Sequence, residues 1–557
     1  MAKSQTRNPH AHRWPEGAIV YHVYLRSLQD SNGDGIGDLP GIVQRLDYIA
    51  SLGTNAVWLS PFYTSPMVDS GYDIADHCDV DPLFGTLSDF KHLLAEAHGK
   101  RLKVIIDLVP NHTSDEHEWF IQSRSSKDNP RASWYIWKDA RARQEDGTPI
   151  PPNNWRSALT GGSAWEWDET REQFYLHSFD VKQPDLNWGN TAVREAMKDV
   201  MRFWLNLGVD GFRVDAVYWM AKDPLFRDDS MSLDFVEDED PIYEALAHNN
   251  SRGKPAVYAR LTEMASVLKE EKYQLLKPFM VTEAYPERHN PVAAYMAFYE
   301  GTDPTVAAPF NFEGVALPWD ASSWHRFLKT FHTTLREFDP KSVASYAFGN
   351  HDKPRLVSRL GADAARSAAM MLLTLPGMAF IYYGEELGMQ DVAIPPEQVR
   401  DPAAQGDPKH RGREPARTPM QWTDGKNAGF STADHTWLPV DPAYRQQNVA
   451  AQSADPDSFL SLYRTLGSLR NSSPALRYGT IEILETGERD VLAYLRVHKD
   501  DNRRYVVLIN FSGETVTCRP GFVLRELLFS SNLQTKLAHV AKGEVKLLPH
   551  EAALFVQ

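Results

Sequence analysis

The stretch "VDGFRVDAVYW", residues 209–219, places two opposite charges inside a short apolar run of the kind that forms a buried strand. Side chains alternate faces along a strand, so an extended reading of residues 211 to 216 puts Arg213 and Asp215 on one face and Phe212, Val214 and Ala216 on the other. A guanidinium beside a carboxylate favours its ionised form and can hold it through a rigid fork of donors, which would prepare a nucleophile. A buried structural ion pair is the alternative reading of the same two residues.

Outward from this run, short apolar runs alternate with amphipathic stretches. From Ala18 to His112 they are "AIVYHVYL", "LPGIVQRLDYIASLG", "TNAVWLSPF", "LSDFKHLLAEAHGKR" and "LKVIIDLVPNH", a strand, helix, strand, helix, strand series that predicts right-handed units on a parallel sheet. Between Thr113 and Asp180 a Trp-, Pro- and Asp-rich segment interrupts the alternation after the third strand. The series resumes with helix "TAVREAMKDVMRFWLNLG", strand 211–216, strands "PFMVTEAY" (278–285) and "SVASYAFGNHD" (342–352), helix "DAARSAAMMLLTLPG" and strand "MAFIYYGEELG". A further strand near "TVAAPFNF" completes eight, which predicts an α/β fold, a closed (β/α)8 TIM barrel. A polar insertion at about 220–270 follows strand four and a Pro-rich loop at about 390–452 follows strand eight. Both lie at C-terminal strand ends, where such barrels keep their sites. After helix "SFLSLYRTLGSLRN" the pattern turns to period two. The predicted organisation is a barrel (1–110 and 181–477), a loop-rich domain inserted after strand 3 (111–180) and a C-terminal antiparallel β domain (478–557).

Composition narrows the function classes. A chain of 557 residues suits several domains or one large barrel with insertions, and 42% hydrophobic with 24% charged residues is ordinary for a globular protein. A net charge of −15 and a pI near 5.7 argue against nucleic-acid and anionic-membrane partners and favour a neutral or cationic small ligand. Fifteen Trp and 22 Tyr supply rings of the kind that stack on sugars, although most aromatics are core. Two cysteines, Cys78 and Cys518, make no disulfide framework, so a reducing compartment is expected. No signal-peptide core or run of about 18 apolar residues is present, so the expected location is cytoplasmic.

Four acidic motifs fall at strand ends: "DLVPNH" (107–112), "GFRVDAV" (211–217), "VTEAY" (281–285) and "GNHD" (349–352). In one barrel these ends converge on one mouth, and clustered like charges persist only for a reason. Together with "AVWLSPF" (56–62), "QPDLNW" (183–188), "GEELG" (384–388) and "REPARTPMQW" (413–422), the set resembles the α-amylase family of glycoside hydrolases, family 13, over nearly the whole chain. Within it, the chain is similar to the α-glucosidase and oligo-1,6-glucosidase branch. The resemblance implies Asp215 as nucleophile, Glu283 as general acid/base and Asp352 as the residue that stabilises the transition state. It also implies an exo-acting, retaining α-glucosidase that releases glucose from the non-reducing end of short α-glucosides.

The chemistry fits these roles. Retention needs an ionised carboxylate beneath the anomeric carbon and a protonated carboxyl beside the leaving oxygen, about 5–5.5 Å apart. Arg213 would keep Asp215 charged, and the apolar residues of "PFMVTEAY" would hold Glu283 protonated. Asp352 would bond the ring hydroxyls more strongly as the sugar flattens. His112 and His351 can donate to hydroxyls, or serve as structural histidines. In "MVDSGYDI" the resemblance implies that Tyr72 stacks on the glucose and that Asp69 pairs with Arg413, walling off one end of the pocket; otherwise the two charges are unrelated surface groups. In the resembling branch Val after the nucleophile accompanies α-1,6 action and Thr or Ala accompanies α-1,4 preference, so Ala216 implies maltose over isomaltose unless it is a packing residue behind the strand.

"DSNGDGIGD" (30–38) carries oxygen ligands at alternate positions, as in the first part of a calcium loop: side chains of Asp30, Asn32, Asp34 and Asp38, and the Ile36 carbonyl. The bidentate Glu of an EF-hand is replaced by Gly41. The resemblance implies one structural Ca2+ or Mg2+ here; a metal-free Asx-rich turn is the other reading. Two other functions share the motifs. A trehalose synthase or other transglucosidase uses the same three carboxylates, and an inactive amylase-like binding subunit loses them and often carries a membrane segment.

Overall fold

The computed structural model describes residues 12–285, 290–407, 409–532, 540–541 and 544–557. Eight parallel strands form one sheet: β1 (Ile19–Val23), β2 (Ala56–Leu59), β3 (Lys103–Leu108), β4 (Gly211–Val214), β5 (Phe279–Thr282), β6 (Ala307–Pro309), β7 (Ser345–Ala347) and β8 (Met378–Tyr382). Their order is β6-β5-β4-β3-β2-β1-β8-β7, and a parallel bridge from Asn311, just past β6, to Tyr346 joins the two edges. Each strand is followed by a helix: α1 (Leu39–Ser51), α2 (Leu87–Gly99), α3 (Thr191–Leu207), α4 (Ala256–Leu268), α5 (Pro291–Glu300), α6 (Ala321–Phe338), α7 (Ala362–Thr374) and α8 (Phe459–Ser472). Helices cover one face of each strand and the barrel interior fills the other, which is why the strands read as continuous apolar runs rather than as alternation.

Local chemistry sets the helix ends. Asp38 caps α1 by accepting from Gly41 N, Thr86 and Asp89 form a reciprocal capping box on α2, and Asn190 caps α3. Helix α3 stops at Gly208, whose φ of 106° is open to glycine and strained for other residues.

Register positions the mouth. Arg213 in β4 pairs with Asp107 in β3, and backbone pairing runs one residue past the strands: Asp215 N donates to Leu108 O and Glu283 N to Val214 O, both at 2.8 Å. Asp107, Asp215 and Glu283 therefore stand on adjacent strand ends.

Three expectations need correction. Strand β4 stops at Val214, and Ala216 takes a left-handed conformation (φ 49°, ψ 36°), so strict alternation does not reach it. The insertion after strand four is not polar throughout: Ala256–Leu268 is α4, which buries Val257, Leu261, Met264 and Ala265 at helical spacing. Strand β7 covers Ser345–Ala347 rather than 342–352, because the chain turns at the mouth before Asp352.

The excursion after β3 carries a small antiparallel sheet, Trp137–Lys138, Gln173–Leu176 and Trp165–Asp168, over a separate core of Trp155, Trp165, Phe174 and Leu176. Beyond the barrel, Thr480–Leu484, Val491–Val497, Tyr505–Asn510, Ala552–Val556 and Glu526–Ser530 form an antiparallel sheet. One of its faces builds a core of Leu495, Val506, Leu508 and Phe555; the other packs on the barrel, where Tyr494 meets Thr374 at 2.5 Å. Among the described residues no helix is long and apolar enough to cross a membrane.

Candidate active site

A single guanidinium serves three carboxylates at the mouth. Arg213, 1% exposed, places Nη1 at 2.8 Å from Asp107 and 2.5 Å from Asp215, and Nη2 at 2.6 Å from Glu283. Burial opposes its charge, but Glu283, Asp107 and Asp215 more than compensate and keep it ionised. One positive charge does not neutralise three negative ones. Burial pushes Asp215 well above the usual carboxylate range, Arg213 pulls it down, and Glu283 and Asp107 push it up again. Asp107, fully buried, is raised to about 6 by burial despite Arg213. The separate environments expected for Asp215 and Glu283 are therefore not found: both carboxylates lie on one fork, and Glu283 also accepts from Ala216 N at 2.8 Å.

From Arg213 the contacts run round the mouth. Asp107 accepts from Trp58 Nε1 at 3.0 Å and from the Tyr72 hydroxyl at 3.4 Å. Tyr72 also meets His351 Nε2 at 2.8 Å, and that nitrogen lies 3.3 Å from Asp352. Burial pushes His351 down to about 3, so it faces both as a neutral ring. Arg417 bonds Asp352 at 2.9 Å, while Arg413 lies 3.8 Å from it. Burial opposes ionisation of Asp352, yet His351, Arg417 and Arg413 overcome it and hold this carboxyl well below the usual range; with His351 neutral, the two arginines supply the charge. Arg413 reaches Asp69 at 2.6 Å and Asp401 at 2.7 Å. Gln183 Nε2 then connects Asp69 (3.1 Å) with His112 (3.1 Å), whose Nε2 lies 3.2 Å from Tyr72 O.

All nine residues expected at the substrate, Asp215, Glu283, Asp352, Asp69, Tyr72, His112, Arg213, His351 and Arg413, thus belong to one connected network. Asp107 and Gln183 were visible only as letters of their motifs. Asp401 and Arg417 were missed. Their signal was weak: one more Asp in a long loop, and the second Arg of "REPARTPMQW".

The loop 30–38 takes no part in this network. Asp30 accepts from Asn32 N, Gly33 N, Gly35 N (2.8 Å) and Ser431 Oγ (2.5 Å), Asp34 from Ile36 N (2.8 Å), and Asp38 from Ser31 N and Gly41 N. Its donor set is all oxygen, which suits a hard cation. Among the described residues no three His, Cys, Asp or Glu side chains converge as ligands for an ion.

The described family model for the α-amylase catalytic domain matches residues 22–479. An α-glucosidase of Apis mellifera is 40% identical over 504 residues, covering 90% of this chain and 85% of its own. An oligo-1,6-glucosidase of Parageobacillus thermoglucosidasius is 38% identical over 586 residues, covering 97% of this chain and 98% of its own. Among solved structures, an α-glucosyl transfer enzyme superposes with a TM-score of 0.86 at 36% identity over 98% of this chain and 100% of that one. The trehalulose synthase of Pseudomonas mesoacidophila does so at 0.82 and 32%, with the same coverage. On the extent of the family match and the identity of these relatives, the chain belongs to the α-amylase family of glycoside hydrolases.

Proposed function

We propose that the protein is an exo-acting, retaining α-glucosidase that releases glucose from the non-reducing end of short α-glucosides, with maltose-like α-1,4 linkages preferred. The observation that carries it is the shared fork: Asp215 and Glu283 bond adjacent nitrogens of Arg213, which suits the closely spaced carboxyls (about 5–5.5 Å) of a retaining enzyme rather than a pair parted by a water. Asp215 attacks the anomeric carbon, Glu283 gives its proton to the leaving oxygen and later takes one from water, and Asp352 bonds the sugar's hydroxyls. The Asp69–Arg413 pair, backed by Asp401, blocks one end of the pocket and so favours removal of single terminal units. Relatives named α-glucosidase and oligo-1,6-glucosidase support the same reading.

A glucosyl-transfer reading is favoured by the structural neighbours named for transfer and for trehalulose synthesis. Product analysis over time on maltose, isomaltose, sucrose and trehalose separates the two: free glucose from the first minutes supports hydrolysis, and isomeric disaccharides or longer glucosides in its place would overturn it. Proton NMR showing β-glucose as the first product would overturn retention.

The loop 30–38 is proposed to hold one Ca2+ or Mg2+ through Asp30, Asn32, Asp34, Asp38 and the Ile36 carbonyl; its all-oxygen donor set supports this. A reducing, cytoplasmic location is proposed from the cysteine usage, Cys78 and Cys518 both being free thiols.

A further inference from the structure

We propose that Arg417 is a positioning residue for Asp352, mounted on the barrel so as to fix that carboxylate where the transition state needs it; this rests on the glucosidase reading above. The guanidinium grips the turn after β7 at two points. Nη2 donates to Asp352 Oδ1 at 2.9 Å, and Nε donates to the backbone carbonyl of the preceding residue, His351, at 2.8 Å. A planar fork attached to both a side chain and its preceding peptide removes the freedom that a lone ion pair would leave.

The mount is itself fixed. Ser27 Oγ donates to Arg417 O at 2.5 Å, the Tyr382 hydroxyl to Ala416 O at 2.9 Å and the Tyr383 hydroxyl to Thr418 O at 2.6 Å, so three consecutive carbonyls are held by side chains from the helical turn after β1 and from the end of β8. The Tyr24 ring lies 5.2 Å from the guanidinium carbon. Arg417 is 1% exposed, and its ion-pair partner among the described residues is Asp352. Two of the arginines of the β8 loop differ in reach: Arg413 closes on Asp69 and Asp401 at the pocket wall and stays 3.8 Å from Asp352, whereas Arg417 bonds that carboxylate directly.

If Arg417 acts through Asp352, its loss should be felt in turnover and should vanish when Asp352 is already disabled. The test is a double-mutant cycle on an activated aryl α-glucoside with Arg417→Gln, Asp352→Asn and the pair. Arg417→Gln is expected to lower kcat by about 10²-fold, the scale of a misplacement near 1 Å, while KM stays within a few-fold. The double variant should be no slower than Asp352→Asn alone. Turnover of Arg417→Gln close to wild type, or losses that multiply in the double variant, would overturn the proposal. If Arg417→Gln does not fold, Arg417→Lys takes its place in the cycle, since it keeps the charge and loses the two-point grip. A wild-type protein inactive on every α-glucoside would overturn the glucosidase reading and this inference with it, whereas an active wild type with an unaffected variant overturns only the role of Arg417.

Discussion

Ala216 donates its backbone N–H to Oε2 of Glu283 at 2.8 Å from a left-handed conformation, φ 49° and ψ 36°. The residue after Asp215 thus orients the second carboxylate through its backbone, and its identity is constrained by that backbone as well as by the space around it. The left-handed region costs non-glycine residues roughly 1–2 kcal/mol, and it is a genuine outlier for β-branched side chains.

Two effects should therefore combine in Ala216→Val. Wild type is expected to prefer maltose over isomaltose by about tenfold in kcat/KM, the scale of one or two methyl groups in a pocket. Valine should narrow or reverse that preference and also lower the Tm, whereas Ala216→Gly should keep the Tm. Specificity constants for both disaccharides, measured beside Tm for all three proteins, check this. Equal constants in wild type, unmoved by valine, would make Ala216 a packing residue.

Asp215→Asn and Glu283→Gln are expected to lower hydrolysis of an aryl α-glucoside by about 10³-fold or more with the circular dichroism spectrum retained. Burial raises Asp215, and a carboxylate with a raised folded pKa carries a penalty that is absent below its unfolded pKa and grows as pH rises from there towards the folded one. Removing the charge should then leave the Tm near neutrality unchanged or higher, because Arg213 keeps Asp107 and Glu283 as partners. Wild-type-like rates in either variant would sink the assignment.

Glu385, in "GEELG", is buried, accepts from the Tyr463 hydroxyl at 2.8 Å and is raised to about 7 by burial. Unfolded Glu titrates near 4.3, so the folded protein holds an extra proton between the two values and loses stability from this group as pH rises through that window. A shift of that size corresponds to about 4 kcal/mol. Relative to wild type, Glu385→Gln should gain in Tm on going from pH near 4.5 to pH near 8. A difference that stays constant with pH would show that Glu385 ionises normally.

Chelation is expected to lower the Tm more than the initial rate, since loop 30–38 lies outside the contacts that join Asp215, Glu283 and Asp352. Immediate loss of activity at an unchanged Tm would place the ion elsewhere.

The eight strands were legible because barrel strands, covered on both faces, must be apolar runs, and the acidic motifs stood out against them. Helix α4 was hidden because its apolar positions follow a long acidic excursion, so the polar composition of the stretch masked helical spacing at Val257, Leu261 and Met264. Asp401 and Arg417 were hidden for another reason: Arg413 lies 12 residues from Asp401 within a loop that has no periodicity, and Asp352 lies 65 residues from Arg417 with α7 and β8 between them, so local pattern links neither pair.

By itself the sequence determined the barrel, its excursions and which side chains carry charge at strand ends, since burial and strand or helix period are local properties of the chain. The tertiary structure decided how those charges are shared. Only the stepped register of β3, β4 and β5 brings Asp107, Asp215 and Glu283 onto one guanidinium, and only the fold of the β8 loop brings Arg417 under Asp352. Protonation and alignment depend on distances and burial across strands, and those exist only once the barrel has closed.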